Sequence, residues 1–146
     1  MSLLFQARSF SELSVQELHD LLKLRVAVFV VEQNCAYHEI DGKDPSSIHI
    51  LGKINDRIVA YARIIPSATG LPHVGRVIVD QDHRGKGIAR ELMSFTLEEL
   101  KKRTGSKSSA LAAQAHLERF YSGFGYRRTS DEYLWDGIPH VDMELI

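Results

Sequence analysis

Arg84-Gly85-Lys86-Gly87-Ile88-Ala89 follows the apolar run Val77-Ile78-Val79 after a short polar turn and leads directly into a long helical pattern. A strand, a glycine loop and a helix start in that order leave the first backbone N–H groups of the helix without intrahelical acceptors. With no Cβ at Gly85 or Gly87, the backbone can approach an anion closely and aim those groups at it. The stretch therefore points to a phosphorylated ligand held between strand and helix.

Two better-known phosphate loops fail on named residues. A nucleoside triphosphate loop needs Gly-Lys followed by Ser or Thr to hold magnesium. The Gly-Lys pairs here run on into Asp44, Ile54 and Gly87. A dinucleotide fingerprint needs a small residue three positions after Gly87, and that position is Arg90.

A chain of 146 residues with 44% hydrophobic residues suits one domain with a single core. No apolar stretch is long enough to span a membrane, and the N-terminus lacks a signal pattern, so a cytoplasmic protein is expected. The net charge is −1, with both signs spread along the chain, which disfavours nucleic acid as a partner. The lone Cys35 rules out an internal disulfide and fits a reducing compartment. No His or Cys spacing matches a zinc site, so no metal is expected.

Residues 3–8 read as a first strand, and Ser14 with Glu17 forms a capping box ahead of Leu18, Leu21, Leu22, Val26 and Phe29 at helical spacing. Residues 30–45 have no sustained period and predict a short helix or structured loop. Two β-branched segments, 48–54 and 57–65, flank Asn55-Asp56 and predict an antiparallel hairpin. Residues 66–72 form a loop before a strand at 74–79. The run 87–104 is helical, with Glu98/Lys102 and Glu99/Arg103 pairs and Gly105 as its stop. A small-residue strand at 109–113, a short helix at 116–124 and strands at 126–134 and 141–145 complete a mixed α/β order.

The loop residues Arg84, Gly87 and Ala89, preceded by Val77-Ile78-Val79, resemble the acyl-CoA loop and fourth strand of the GCN5-related N-acetyltransferase (GNAT) superfamily. Phe120-Tyr121-Ser122-Gly123-Phe124-Gly125-Tyr126 resembles that family's aromatic-Tyr helix and the strand after it. Where the family often carries Asn seven residues before this Tyr, the chain has Gln114. Three further segments, Val28-Phe29-Val30-Val31-Glu32-Gln33, Ala113-Gln114-Ala115-His116-Leu117 and the run from Asp136 to Met143, resemble the ElaA-type branch. The resemblance implies one N-acyltransferase domain over residues 1–146. Its fold would be a central, mostly antiparallel twisted sheet of about six or seven strands flanked by helices.

The resemblance also implies acetyl-CoA as donor, with CoA as product, and a small-molecule or peptide amine as acceptor. The donor would lie on Val77, Ile78, Val79, Arg84, Gly85, Lys86, Gly87, Ile88, Ala89, Gln114 and Tyr121. A backbone N–H near Val79 would face the thioester carbonyl where the strand is distorted, and Tyr121 would protonate the departing thiolate. Chemically, Glu32, Glu39, Asp41, His116 and His140 can each act as base. Glu32 follows a buried-looking run that would raise its pKa by desolvation, and His140 shares a strand face with Asp142. The loop carrying Glu32, Glu39, Asp41 and Asp44 against Lys43 would suit a cationic amine. The alternatives are a catalytically silent acyl-CoA binding or sensing module and, through an exposed sheet edge, a homodimer.

Overall fold

In the computed structural model, which describes residues 2–146, eight strands among the described residues build one sheet. They are β1 (Leu3–Ser9), β2 (Ile48–Ile54), β3 (Arg57–Ile65), β4 (His73–Val79), β5 (Ser109–Gln114), β6 (Arg127–Arg128), β7 (Tyr133–Trp135) and β8 (Ile138–Leu145). The order across the sheet is β1-β2-β3-β4-β5-β8-β6, with β7 also paired to β8. Every pairing is antiparallel except that of β4 with β5. Among the described residues three α-helices accompany the sheet: α1 (Val15–Arg25), α2 (Ile88–Thr104) and α3 (Glu118–Ser122).

Local chemistry sets the element ends. Asn55 and Asp56 take φ of 51° and 64°, the left-handed pair that lets two-residue hairpins follow the strand twist. Ser14 Oγ accepts from the Glu17 N–H, and Glu17 Oε1 accepts from the Ser14 N–H, both at 2.9 Å. The second Glu17 oxygen takes Lys53 Nζ at 2.7 Å and so ties the start of α1 to β2. Beyond Arg25 the helix widens into a π-helical stretch, Val26–Glu32, which buries Val28.

The sheet is covered on two faces. Against α2 lie Ile50, Ala62, Ile64, Val74 and Val79 with Leu92, Met93 and Leu100, and this core continues over β5 and β8 through Leu111 and Val141. Against α1 lie Leu51, Tyr61 and Ile78 with Leu21, Leu24 and Val28. Each fully buried leucine, such as Leu21 or Leu92, contributes roughly 1.5–3 kcal/mol of apolar burial. On β5 and β8 the face away from α2 carries Ala110, Ala112, Gln114, His140, Asp142 and Glu144, none of them fully buried.

Val74 and Val79 both face α2 although five residues separate them, which a regular strand forbids. The register against β3 shifts between Tyr61 and Arg63, and opposite that step Arg76 has φ of 53°. An extra residue here reverses the alternation, as in a β-bulge. The distortion expected near Val79 thus lies three residues earlier.

Two other details depart from the sequence reading. The predicted strand at 126–134 is divided into β6 and β7. Ser130 Oγ takes the Asp142 N–H at 2.9 Å, a side chain in place of a ladder carbonyl, and the chain leaves the ladder there. Among the described residues, β4 and β5 pair only at His73 and Ala110. Past that point the two parallel strands separate and leave an edge of β4 uncovered.

Candidate active site

The glycine loop presents a run of unused donors. Among the described residues, no acceptor takes the backbone N–H groups of Gly85 through Arg90, and the first helical bond runs from Glu91 N–H to Gly87 O at 3.3 Å. The Arg84 N–H is turned to Gln81 O at 3.5 Å, so the donor set begins one residue later than the sequence suggests. Gly85 and Gly87 have φ of 79° and 80°, and nothing lies within 4 Å of a Cβ at either position. Glycine is required for the left-handed backbone, while the space above stays open. A cavity of about 340 Å³ fills that space, lined by Val79, Arg84, Gly85, Gly87, Ala89 and Phe120. Lys86 stands exposed at its rim.

A second cavity of about 110 Å³ shares Val79, Ala89 and Phe120 with the first and continues past Val77, Ile78, Leu117 and Tyr121. Together they follow the uncovered edge of β4. The Asp80 N–H donates to Val59 O at 2.7 Å, so strand alternation turns the Val79 N–H and C=O to the open edge. Arg84 Nε donates to that Val79 carbonyl at 3.0 Å. An extended ligand arm can therefore meet the strand edge on a route that starts at the anion cradle.

Tyr121, on α3, is only 6% exposed and packs edge-on to Phe120 and Tyr126 at 5.1 and 6.2 Å. Burial pushes its phenol above the ordinary range, aided by the neighbouring Tyr126. Its hydroxyl is protonated and has no hydrogen-bond partner among the described residues, and Tyr121 is one of the residues lining the second cavity.

A family profile described as the acetyltransferase (GNAT) domain matches residues 9–146. The chain belongs to the GNAT acetyltransferase family. It is 51% identical over 137 residues to the protein ElaA of Escherichia coli, covering 91% of this chain and 90% of ElaA. The ElaA crystal structure superposes with a TM-score of 0.94 at 46% identity, over 99% of this chain and all of that one. An acyl-CoA N-acyltransferase from Pseudomonas aeruginosa gives a TM-score of 0.95 at 34% identity, over 99% and 100% of the two chains. At 13% identity, a GNAT acetyltransferase from Elizabethkingia anophelis solved with acetyl-CoA bound shares the fold, with a TM-score of 0.71 over 98% and 97%.

Within this GNAT fold, the carboxylates of the 32–44 segment are already paired. Arg84 donates to Glu32 through both terminal nitrogens, at 2.6 and 2.9 Å. That hydrogen bond lowers the Glu32 pKa and outweighs desolvation, the reverse of the direction its sequence context implies. Glu39 Oε2 accepts from Arg25 Nε at 2.7 Å and Arg76 Nε at 3.0 Å, and its other oxygen accepts from Tyr37. Asp44 binds Arg25 and Arg63 at 2.7 and 3.1 Å, and Asp41 binds Arg63 at 2.8 and 3.0 Å. The acidic loop expected to receive a cationic amine is neutralised internally by arginines from α1, β3, β4 and the glycine loop.

His140 and Asp142 do share a face of β8, opposite buried Val141 and Met143. They do not pair with each other. His140 Nδ1 lies 2.7 Å from Ile138 O, which assigns the proton to that nitrogen, and the ring packs against Tyr133 and Trp135. The Asp142 carboxylate accepts from the Tyr133 hydroxyl instead. Gln114 ends β5 beside His140, across the opening from β4. His116 is exposed on the turn before α3.

Two residues of β4 escape the sequence reading. Arg76 holds the bulge with its guanidinium 4.9 Å from the Phe29 ring. His73, first in β4, faces away from α2. A strand starting at 73 rather than 74 would have placed it on the site face. Among the described residues, no group of three or more His, Cys, Asp or Glu side chains could hold a metal, and no helix is long and apolar enough to cross a membrane.

Proposed function

We propose that this GNAT chain transfers the acetyl group of acetyl-CoA to a primary amine on a small molecule or peptide, by direct attack in a ternary complex. The observation that carries this reading is the continuity of six acceptor-free N–H groups, an uncovered strand edge and the unpartnered Tyr121 hydroxyl along one groove. The acetyl-CoA-bound fold relative lends it support.

The pyrophosphate would take the N–H groups of Gly85 to Arg90, and the pantetheine arm would run along Val77, Ile78 and Val79 with the Gln114 amide opposite. Acyl transfer needs donors where the carbonyl oxygen gains charge, and the alternation that turns the Val79 N–H to the open edge does the same for the Val77 N–H, beside the Arg76 bulge where the arm would end. The departing thiolate needs a proton, which Tyr121 is placed to give. Between a phenol of pKa about 10 and a thiol of about 8.5 that transfer costs roughly 2 kcal/mol. The apolar slot that raises the phenol also destabilises the thiolate, so burial leaves the difference largely intact.

Acetyl-CoA at 100 times its Kd should stabilise the protein by about 2.7 kcal/mol in thermal unfolding. No stabilisation at any concentration would remove the groove from consideration as the donor site.

A further inference from the structure

Every carboxylate considered as a base from sequence carries an arginine partner, and His140, whose Nδ1–H is held by Ile138 O while Nε2 keeps its lone pair, lies on β8 with β5 between it and β4. His73 differs from all of these. It opens β4, pairs with Ile65 on β3 and Ala110 on β5, and stands where β4 and β5 begin to separate. No group among the described residues hydrogen-bonds either nitrogen of its ring.

Gly75, the next residue on the same face, leaves room for the imidazole to lie forward along the strand. A Cβ there would sit 3.7 Å from His73 Cδ2 and 3.9 Å from Nε2. At about 3.3 Å per residue, the remaining span to Val77 is roughly 6–7 Å, the size of an amine or an amine with one water. Tyr121 belongs to the core on the α2 side, whereas His73 lies on the opposite face. A thioester in the opening would have its acid behind it and His73 in front.

We propose that His73 is the catalytic base that takes the proton lost by the acceptor amine, an assignment that rests on the N-acetyltransferase reading. The neutral amine attacks the thioester carbonyl carbon, and nitrogen becomes acidic as the C–N bond forms. One N–H proton passes to His73 directly or through one water. The C–S bond then breaks with its electron pair on sulfur, and the thiolate takes the Tyr121 proton. His73 releases its proton to solvent and Tyr121 regains one, so amine and acetyl-CoA give amide and CoA in balance.

Burial lowers the His73 pKa, and the cations facing it, Lys43 from the loop, Arg63 from β3 and Arg76 from β4, act in the same direction against Asp142 of β8. The imidazole is therefore neutral at pH 7. Its depressed basicity still suffices for a nitrogen already bonded to the carbonyl carbon.

The test is the pH dependence of kcat/KM for wild type, His73→Gln and His140→Gln, with acetyl-CoA and spermidine, glucosamine, lysine or a lysine-containing peptide as acceptor. In wild type two protonations, of amine and imidazole, should make the logarithm of the rate fall with a slope of two at low pH. His73→Gln should lose about 10²-fold or more in kcat and fall with a slope of one, at unchanged acetyl-CoA affinity. His73→Ala should be partly rescued by added imidazole. A wild-type slope of two that persists in His73→Gln, or moves to one in His140→Gln instead, overturns the assignment while leaving acetyl transfer intact. A wild type that releases no CoA with any acceptor overturns both.

Discussion

Arg84 and Glu32 are joined by two hydrogen bonds of 2.6 and 2.9 Å across 52 positions of sequence, and Arg84 Nε reaches the Val79 carbonyl at 3.0 Å. One guanidinium thus fastens the end of the π-helical stretch and the end of β4 to the glycine loop. Both side chains are a third or more exposed, so solvent screening holds their pairing to less than about 1 kcal/mol of stability. Its effect is positional.

Glu32→Gln should accordingly cost less than about 1 kcal/mol in denaturant unfolding. It should weaken acetyl-CoA binding several-fold by calorimetry, because Arg84 loses its anchor, without changing the shape of the pH–rate profile. An acid limb whose slope drops from two to one in this variant would return Glu32 to the role of base.

Two glycines should fail in different ways. Gly87→Ala forces a side chain onto φ of 80° with open space around it, for a penalty of about 1–2 kcal/mol at the anion cradle. It should reduce the stabilisation by acetyl-CoA. Gly52→Ala would place a Cβ 2.9 Å from the Ala60 Cβ and 2.9 Å from Phe5 Cε1, two strands across the sheet from Val79. Overpacking there should cost about 1–3 kcal/mol with acetyl-CoA affinity unchanged. Equal losses of affinity in the two variants would contradict the placement of the cradle.

Tyr121→Phe removes a hydroxyl that no protein group binds and keeps the ring that packs on Phe120 and Tyr126. Its melting temperature and acetyl-CoA affinity should match wild type, while kcat falls by about 10²-fold or more. Full turnover at saturating substrates would remove Tyr121 from the proton path.

Stability should fall with acid in two windows. His49, fully buried, lies 2.6 Å from the Tyr61 hydroxyl and 2.9 Å from Asp44 O, and burial chiefly lowers its pKa. The unfolded chain therefore takes up its proton first, and stability decreases as pH drops below about 6.5. Burial of His73 adds in the same sense. Asp41 is pushed up by burial but held at about 2 by Arg63 and the Lys43 N–H. Its contribution is complete above about pH 4 and is lost as pH falls towards 2. Urea unfolding at intervals from pH 8 to 3 checks both windows, and stability that is flat or rising from pH 6.5 to 5 would be inconsistent with a neutral His49.

What could be read from the sequence was local or carried by contiguous motifs. The Ser14–Glu17 box, the Asn55-Asp56 hairpin, the glycine loop and the Tyr121 helix each place their own signals within a few residues, and together they led to the GNAT fold. The bulge at Arg76 was not legible, because a non-glycine residue at positive φ is held there by Phe29, Tyr37 and Glu39, distant in sequence. For the same reason Glu32 read as a desolvated base: the run before it is visible, but the arginine that reaches it belongs to another loop. His73 carried no motif at all, and only the strand register puts it on the site face.

Acyl transfer along the groove from Gly85 to Tyr121 is checked by incubating the protein with acetyl-CoA and a set of primary amines, then measuring free CoA and acetylated amine in the same samples. At least one amine should yield the two products in equal amounts, in proportion to enzyme and with strong attenuation in Tyr121→Phe. Tight acetyl-CoA binding with no acetylated amine from any acceptor would contradict it.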